Sequence, residues 1–106
     1  MASHQAIAAP IYSTLATDRA LADLVELFVD ELPDRVSRLQ QLFDANDRCE
    51  LERAAHQLKG SAGSYGFDPL TPAAARLEHA ASEDRACEEV ATALQELVAL
   101  CQRVRC

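Results

Sequence analysis

Apolar residues recur along most of this chain at the three- and four-residue spacing of amphipathic helices. The first such stretch follows Thr17 and Asp18, two residue types that commonly begin helices. Its apolar stripe comprises Leu21, Leu24, Val25, Phe28, Leu32, Val36, Leu39 and Phe43. Pro33 interrupts the stripe, and a proline inside a helix costs about 3 kcal/mol or bends the helix. The spacing therefore predicts one bent helix or two abutting helices, with one face in the core in either case.

A second helix is predicted from about residue 48 to about residue 65. Asp47 and Glu50 resemble a capping box that follows the polar loop 44–47. Gly63 and Gly66 are expected to weaken and end this helix. Its inward residues are expected to be Leu51, Ala54, Leu58, Ala62 and Tyr65.

Two more helices complete the pattern. Asp68 and Pro69 are expected to be the N-cap and the first-turn proline of the third helix. Its inward residues are expected to be Leu70, Ala74, Leu77 and Ala81. Residues 82–84 break the third helix. The last helix is marked by Val90, Leu94, Leu97, Val98 and Cys101.

Length and composition restrict the fold further. The chain has 106 residues, of which 49% are hydrophobic, with three glycines and four prolines, so one compact, mainly helical domain is expected. Short loops between amphipathic helices predict an all-α fold, an antiparallel up-and-down four-helix bundle, over residues 17–106. Residues 1–16 are expected to form a tail with a short helix around Ile11 to Leu15 that caps the bundle.

Charge and cysteine usage indicate where the protein acts. The net charge is −7, and Lys59 is the only lysine among ten basic residues. This charge makes nucleic acids and anionic membrane surfaces poor partners. The four cysteines form no Cys-x-x-Cys pair, and neither a secretory leader nor a bilayer-spanning segment is apparent. We therefore expect reduced thiols and a cytoplasmic location.

The second helix carries the residues with the clearest chemistry. At 100° per residue, His56 points away from Leu58 and Tyr65, so it is predicted to face solvent. Its own side carries Cys49, Glu52, Arg53, Lys59, Gly60 and Gly63. Each glycine costs a helix about 1 kcal/mol relative to alanine, and close approach of a partner would explain two of them on this side. An exposed imidazole is a nitrogen nucleophile, and Lys59 would lie beside a phosphoryl group attached to it.

These residues resemble the signature of the histidine-containing phosphotransfer (HPt) domain family. The central motif consists of His56, Leu58, Lys59, Gly60, Ser61, Ala62 and, further along, Gly66. The flanking matches are Phe28, Glu31-Leu32-Pro33 and Arg35 upstream, and Ala75-Arg76-Leu77-Glu78 downstream. The similarity covers residues 18 to 104, which is nearly the whole chain.

The resemblance implies a phosphorelay function without stand-alone catalytic activity. His56 would accept a phosphoryl group from a receiver-domain phospho-aspartate and pass it to another receiver. Lys59 would stabilise the phosphoryl group, and Gly60 would keep the approach to His56 clear. The implied partners are response-regulator receiver domains and a (hybrid) histidine kinase. Receivers would supply Mg²⁺, so no cofactor or metal is expected in this chain, which should be a monomer.

Further residues are candidates for contact with a receiver. We expect Gln57 and Gly63 to lie beside His56, and Leu27 or Val29 to flank it. Leu27 and Val29 widen the apolar face of the first helix beyond its stripe, which would equally suit a broad core face.

The same residues do not match the patterns of a nucleotide loop or a metal-binding bundle. Gly60, Gly63 and Gly66 lack the preceding strand and the Gly-Lys-Ser/Thr ending of a nucleotide loop. Glu52 and His56 lack the Glu-x-x-His spacing of metal-binding bundles. His79 and His4 are expected to be ordinary exposed histidines. The remaining alternatives are an HPt-like adaptor that binds a receiver or kinase without being phosphorylated, and a dimerisation bundle resembling a histidine kinase core.

Overall fold

The structure is a computed structural model that describes residues 9–15, 17–83 and 85–106. The described residues form four helices and no strand: α1 (Ala22–Asp44), α2 (Arg48–Ser64), α3 (Leu70–Ser82) and α4 (Cys87–Cys101). Each helix packs against the next one along the chain, and α1 also packs against α4, so the four close a ring. The predicted all-α four-helix bundle is confirmed.

Helix α1 is one continuous helix with Pro33 inside it, which decides between the two predicted forms. It begins one turn later than expected, because Asp18 organises a turn ahead of it. The Asp18 Oδ1 atom accepts a hydrogen bond from the Ala20 N–H at 2.9 Å, and its carbonyl accepts one from the Leu21 N–H at 3.0 Å. Thr17 and Asp18 therefore precede the helix without capping it.

The predicted N-cap residue of α2 is confirmed, whereas the predicted N-cap of α3 is wrong by one residue. The second bond of a capping box is not formed at α2, because the Asp47 N–H donates to the Leu42 carbonyl at 2.9 Å. The Glu50 N–H donates to Asp47 Oδ1 at 3.2 Å, so Asp47 is the N-cap of α2. At the start of α3 the N-cap is Pro69, and no side chain caps the helix. The carbonyl of Asp68, rather than its side chain, accepts from the Thr71 N–H at 3.2 Å.

The expected short helix around Ile11 to Leu15 is wrong. Ile11 instead forms a parallel bridge with Val104: its N–H donates to the Arg103 carbonyl at 2.8 Å, and its carbonyl accepts from the Arg105 N–H at 2.9 Å. This extended pairing satisfies backbone groups that a helix would have bonded internally. Residues 1–8 and 16, which complete the predicted tail, lie outside the described part of the chain.

The N-terminal segment also contacts the turn that follows α2. The Thr14 N–H donates to the Gly66 carbonyl at 2.9 Å, and Ser13 Oγ donates to the Tyr65 carbonyl. Gly66 has a φ of +81°, and a Cβ there would lie 2.7 Å from Thr14 Oγ1. Glycine is required at this position, because an added side chain would be strained and would displace the segment.

Small residues bring α2 and α3 close together. Ala55 and Ala62 on α2, and Ala73 and Ala74 on α3, are fully buried. Larger buried side chains fill the rest of the core: Phe28, Phe67, Leu39, Leu51, Leu58, Leu70, Leu77, Leu97 and Val90. Leu24, which the apolar spacing placed in the stripe of α1, is 44% exposed. Close packing of alanines leaves polar residues at the edges of α2 and α3 within reach of one another.

Candidate phosphoacceptor site

His56 lies in the middle of α2 with its side chain 65% exposed. Leu58, two residues further along, is 1% exposed and belongs to the core. The side assignment made from helical periodicity is therefore confirmed for both residues. An imidazole in this position is open to a second protein.

A carboxylate on α3 holds the imidazole and the neighbouring lysine together. Glu78 Oε2 lies 2.7 Å from His56 Nδ1, and Glu78 Oε1 accepts a hydrogen bond from Lys59 Nζ at 2.7 Å. The Glu78 side chain is 21% exposed and that of Lys59 is 32% exposed. One carboxylate thus positions both residues that the sequence assigned to phosphoryl chemistry.

The Glu78 contact has a consequence for the two ring nitrogens of His56. A carboxylate accepts hydrogen bonds, so this geometry favours the tautomer with the proton on Nδ1. Nε2 then presents its lone pair on the exposed edge of the ring. A partner that fixes a histidine tautomer in this way also fixes the orientation of the ring.

The charge of Glu78 is stabilised by the same contacts. The hydrogen bond from Lys59 is the largest influence and lowers the pKa of the Glu78 carboxyl below its usual value. Partial burial opposes this shift, and the hydrogen bond with His56 adds to it. Glu78 therefore remains ionised at neutral pH and keeps its bonds to both partners.

The glycines beside His56 leave open space. A Cβ added to Gly60 would meet no atom within 4 Å, and one added to Gly63 would meet Thr71 Oγ1 at 3.8 Å, an ordinary contact. Both glycines are exposed, and neither is required by the packing of the domain itself. The packing of the domain therefore does not account for glycine at either position.

Two depressions flank His56. The one towards α1 has a volume of about 470 Å³ and is lined by Arg35, His56, Gln57, Gly60, Ser61, Ser64 and Tyr65. The one towards α3 has a volume of about 340 Å³ and is lined by Cys49, Glu52, Arg53, His56 and Glu78. His56 thus forms a ridge between two surfaces of different composition.

The structure brings some of the predicted partner contacts to this ridge and places others further away. Gln57 lines the depression towards α1. Leu27 is 52% exposed. The Phe28 ring next to it in the chain lies 5.6 Å from the Tyr65 ring. Tyr65 is about 13 Å from His56 along the axis of α2 at 1.5 Å per residue, so this part of α1 is distant from His56. Val29 is partly buried and packs against the core.

Two residues of this site were not singled out from the sequence. Glu78 and Arg35 entered only as matches to the family pattern, without any function. Glu78 follows the buried Leu77, so it lies at the edge of the α3 core face, and the single lysine needed an acidic partner. The position of Glu78 beside the core face and the presence of one lysine were the features that could have indicated this pair. They did not identify which of the seventeen acidic residues binds Lys59.

Comparison with known proteins identifies the family of this chain. The family model described as Hpt domain matches residues 23–105. The chain belongs to the Hpt domain family. Hpt domains are phosphotransfer modules of two-component signalling rather than stand-alone enzymes, and they work with receiver domains and kinases. No curated protein and no solved structure matches the chain.

Among the described residues, no helix has both the length and the apolar character needed to cross a membrane. Residues 9–15, 17–83 and 85–106 also contain no group of three or more His, Cys, Asp or Glu side chains arranged to hold a metal ion.

Proposed function

We propose that this Hpt domain is a phosphorelay intermediate that carries a phosphoryl group on Nε2 of His56. The group comes from the phospho-aspartate of one receiver domain and passes to the aspartate of another. The observation that carries the proposal is the 2.7 Å contact between Glu78 Oε2 and His56 Nδ1. That contact leaves Nε2 as the nucleophilic nitrogen on an exposed edge.

The transfer exchanges one bond to phosphorus for another. The Nε2 lone pair attacks phosphorus, the new N–P bond forms, and the bond to the aspartate oxygen breaks with its electrons left on the carboxylate. The ring keeps its Nδ1 proton and becomes positively charged, and the Glu78 carboxylate faces that charge. The second receiver reverses the same step with its own aspartate.

Lys59 is proposed to stabilise the phosphoryl oxygens. Its ammonium is bound to Glu78 at 2.7 Å and is 32% exposed, so its remaining protons can point towards a group on Nε2. Phosphoryl transfer depends mainly on alignment and on stabilisation of oxygen charge. The receiver would contribute its aspartate and Mg²⁺, so no residue of this chain is assigned to metal binding.

Gly60 is proposed to keep the approach to His56 free, with Gln57 and Gly63 beside it as receiver contacts. The family supports receiver domains and kinases as partners, and we propose a (hybrid) histidine kinase as the kinase. A monomer in the cytoplasm is the form we expect, because the four helices close their own core.

The test is transfer of radiolabelled phosphate from a phosphorylated receiver domain. His56→Gln should accept no label, while His79→Ala, a change at an exposed histidine paired with Glu83 at 3.0 Å, should accept as much as the wild type. The label should be lost in acid and retained in base, as for phosphohistidine. Glutamine keeps a donor for Glu78, so the unfolding free energy should change by less than about 0.5 kcal/mol.

The proposal fails if His56→Gln retains the label. Measurable binding to receivers without any labelling of the wild type would instead favour the adaptor that does not transfer phosphate.

A further inference from the structure

The depression on the α1 side of His56, named here the trough, is lined by polar groups without partners. Gln57, Ser61 and Ser64 line it, and within the described part of the chain their side chains make no hydrogen bond or ion pair. An amide and two hydroxyls can donate to a ligand. The trough therefore offers several donors beside the phosphoacceptor nitrogen.

Arg35 supplies the charge of the trough. Its guanidinium carbon lies 5.6 Å from the centre of the Phe28 ring, and Phe28 is 2% exposed and stacked on Phe67. The ring supports the guanidinium from the core side and limits its freedom. The closest carboxylate, that of Glu31, is 3.8 Å away, longer than a hydrogen bond, so the donors of Arg35 remain available to a partner.

The charge of the trough stands apart from that of the rest of the protein. Among the described residues that line it, Arg35 alone carries a permanent charge, whereas the chain as a whole has a net charge of −7. Lys59 and Arg53, the other cations near His56, are already paired with Glu78 at 2.7 Å and with Glu50 at 3.4 Å. A fixed cation surrounded by free donors is complementary to carboxylates and carbonyls.

We propose that the trough is a docking site for an acidic segment of the receiver, in which Arg35 pairs with a receiver carboxylate close to the phosphorylated aspartate. This inference rests on the proposed function, because the segment belongs to the phosphoryl donor or acceptor. Arg35 is a positioning residue: it selects and orients the receiver over Nε2 and does not contact the reacting phosphoryl group. Arginine held on an aromatic ring is a frequent anchor of protein interfaces.

The test measures transfer from a receiver that labels the wild-type protein, chosen from a panel of receiver domains phosphorylated with acetyl phosphate. Arg35→Gln should raise the KM for that receiver about tenfold and leave the rate at saturating receiver within about twofold of the wild type. Arg35→Lys should recover part of the loss, because it keeps the charge. High salt should raise the wild-type KM more than that of Arg35→Gln.

Two further variants complete the design. Arg38→Gln is the matched control, because Arg38 lies on the same helix but lines a neighbouring groove with Arg35 and not the trough; its KM should stay within about twofold. Glu31→Gln removes the carboxylate that competes for Arg35, so it should lower the KM. This variant leaves the Phe28 stacking intact and tests the inference even if Arg35→Gln melts early in circular dichroism.

Equal effects of Arg35→Gln and Arg38→Gln would overturn the inference, since only general charge would matter. A lower saturated rate with an unchanged KM would also overturn it, because Arg35 would then contact the phosphoryl group. If wild type transfers normally and Arg35→Gln does as well, the trough inference alone fails. If no receiver labels the wild type, the proposed function fails and the inference fails with it.

Discussion

The two sides of His56 differ in how fully their polar groups are used. On the α3 side, Glu78 binds both His56 and Lys59 at 2.7 Å. On the α1 side, Gln57 and the serines of the trough have no side-chain partner among the described residues. The first side sets the state of the imidazole within the domain itself. The second side is available to another protein.

This difference separates two kinds of effect. Changes on the α3 side should alter the reactivity of His56 towards every donor, including a small one such as phosphoramidate. Changes on the α1 side should matter only when a receiver is present. For variants of Lys59, Glu78 and Gly60, transfer from a receiver is compared with labelling by phosphoramidate, because that pair of measurements tells the two sides apart.

The largest effect is expected from Lys59→Ala, on the α3 side. Removing the cation that we propose stabilises the phosphoryl group should slow transfer by about 100-fold, with receiver and phosphoramidate alike, while the domain stays folded. Arg53→Ala is the control, because Arg53 is an exposed cation of the same helix paired with Glu50. Unchanged transfer in Lys59→Ala would remove this lysine from the reaction.

Glu78→Ala should slow phosphoryl transfer to His56 by about tenfold, which is a smaller effect than that of Lys59→Ala. Without the carboxylate, the neutral imidazole should carry its proton on Nδ1 in some molecules and on Nε2 in others. Transfer from a receiver and labelling by phosphoramidate should therefore both be slower. Glu78→Gln keeps an acceptor oxygen for Nδ1, so its transfer rate should fall less than that of Glu78→Ala. Nitrogen NMR of the ring reports the tautomer directly. If Glu78→Ala reacts normally with phosphoramidate and slowly with a receiver, Glu78 contacts the partner instead of setting the tautomer.

Gly60→Ala should make the domain more stable and at the same time slow transfer from a receiver. A Cβ at Gly60 meets no atom within 4 Å, so alanine should raise the free energy of unfolding by about 1 kcal/mol. Transfer from a receiver should nevertheless fall a few-fold through a steric clash, whereas phosphoramidate labelling should not change. Gly63→Ala, about 10 Å along the helix from His56, should stabilise similarly and slow transfer less. Normal receiver transfer in Gly60→Ala would contradict the assignment of this glycine to access.

The smallest effect concerns pH. Because the folded pKa of Glu78 lies below its ordinary value of 4.5, its contacts stabilise the protein above that value, and the stabilisation is lost as the pH falls through the lower, folded pKa. The difference in unfolding free energy between the wild type and Glu78→Gln should thus be constant near neutrality and shrink in acid. Thermal melts over this range measure it. A difference that grows in acid would contradict the direction of the pKa shift.

The helices and the side of His56 could be predicted from the sequence because both follow from local spacing. Leu58 and Leu77 are buried as their periodicity indicates, and Asp47 caps α2 through a residue three positions away. Such features depend on neighbours within one or two turns. Each of these features can therefore be predicted from a single sequence.

The remaining features depend on contacts between distant parts of the chain. The pairing of Ile11 with Val104 replaced a predicted helix, and no local pattern indicates a partner that far away. Glu78 reaches His56 only because buried alanines bring α3 against α2. Arg35 takes its position from the Phe28 ring beneath it. The proposed phosphoacceptor was thus predictable, and the residues that we propose prepare it and guide its partner were not.

The most direct test of the central claim is nitrogen NMR of the histidine rings before and after phosphorylation. Before the reaction, the neutral His56 ring should carry its proton on Nδ1, bonded to Glu78. After it, coupling to phosphorus should appear at Nε2 of His56, with His79 unchanged. Phosphorus on Nδ1 of His56, or on His79, would contradict the account.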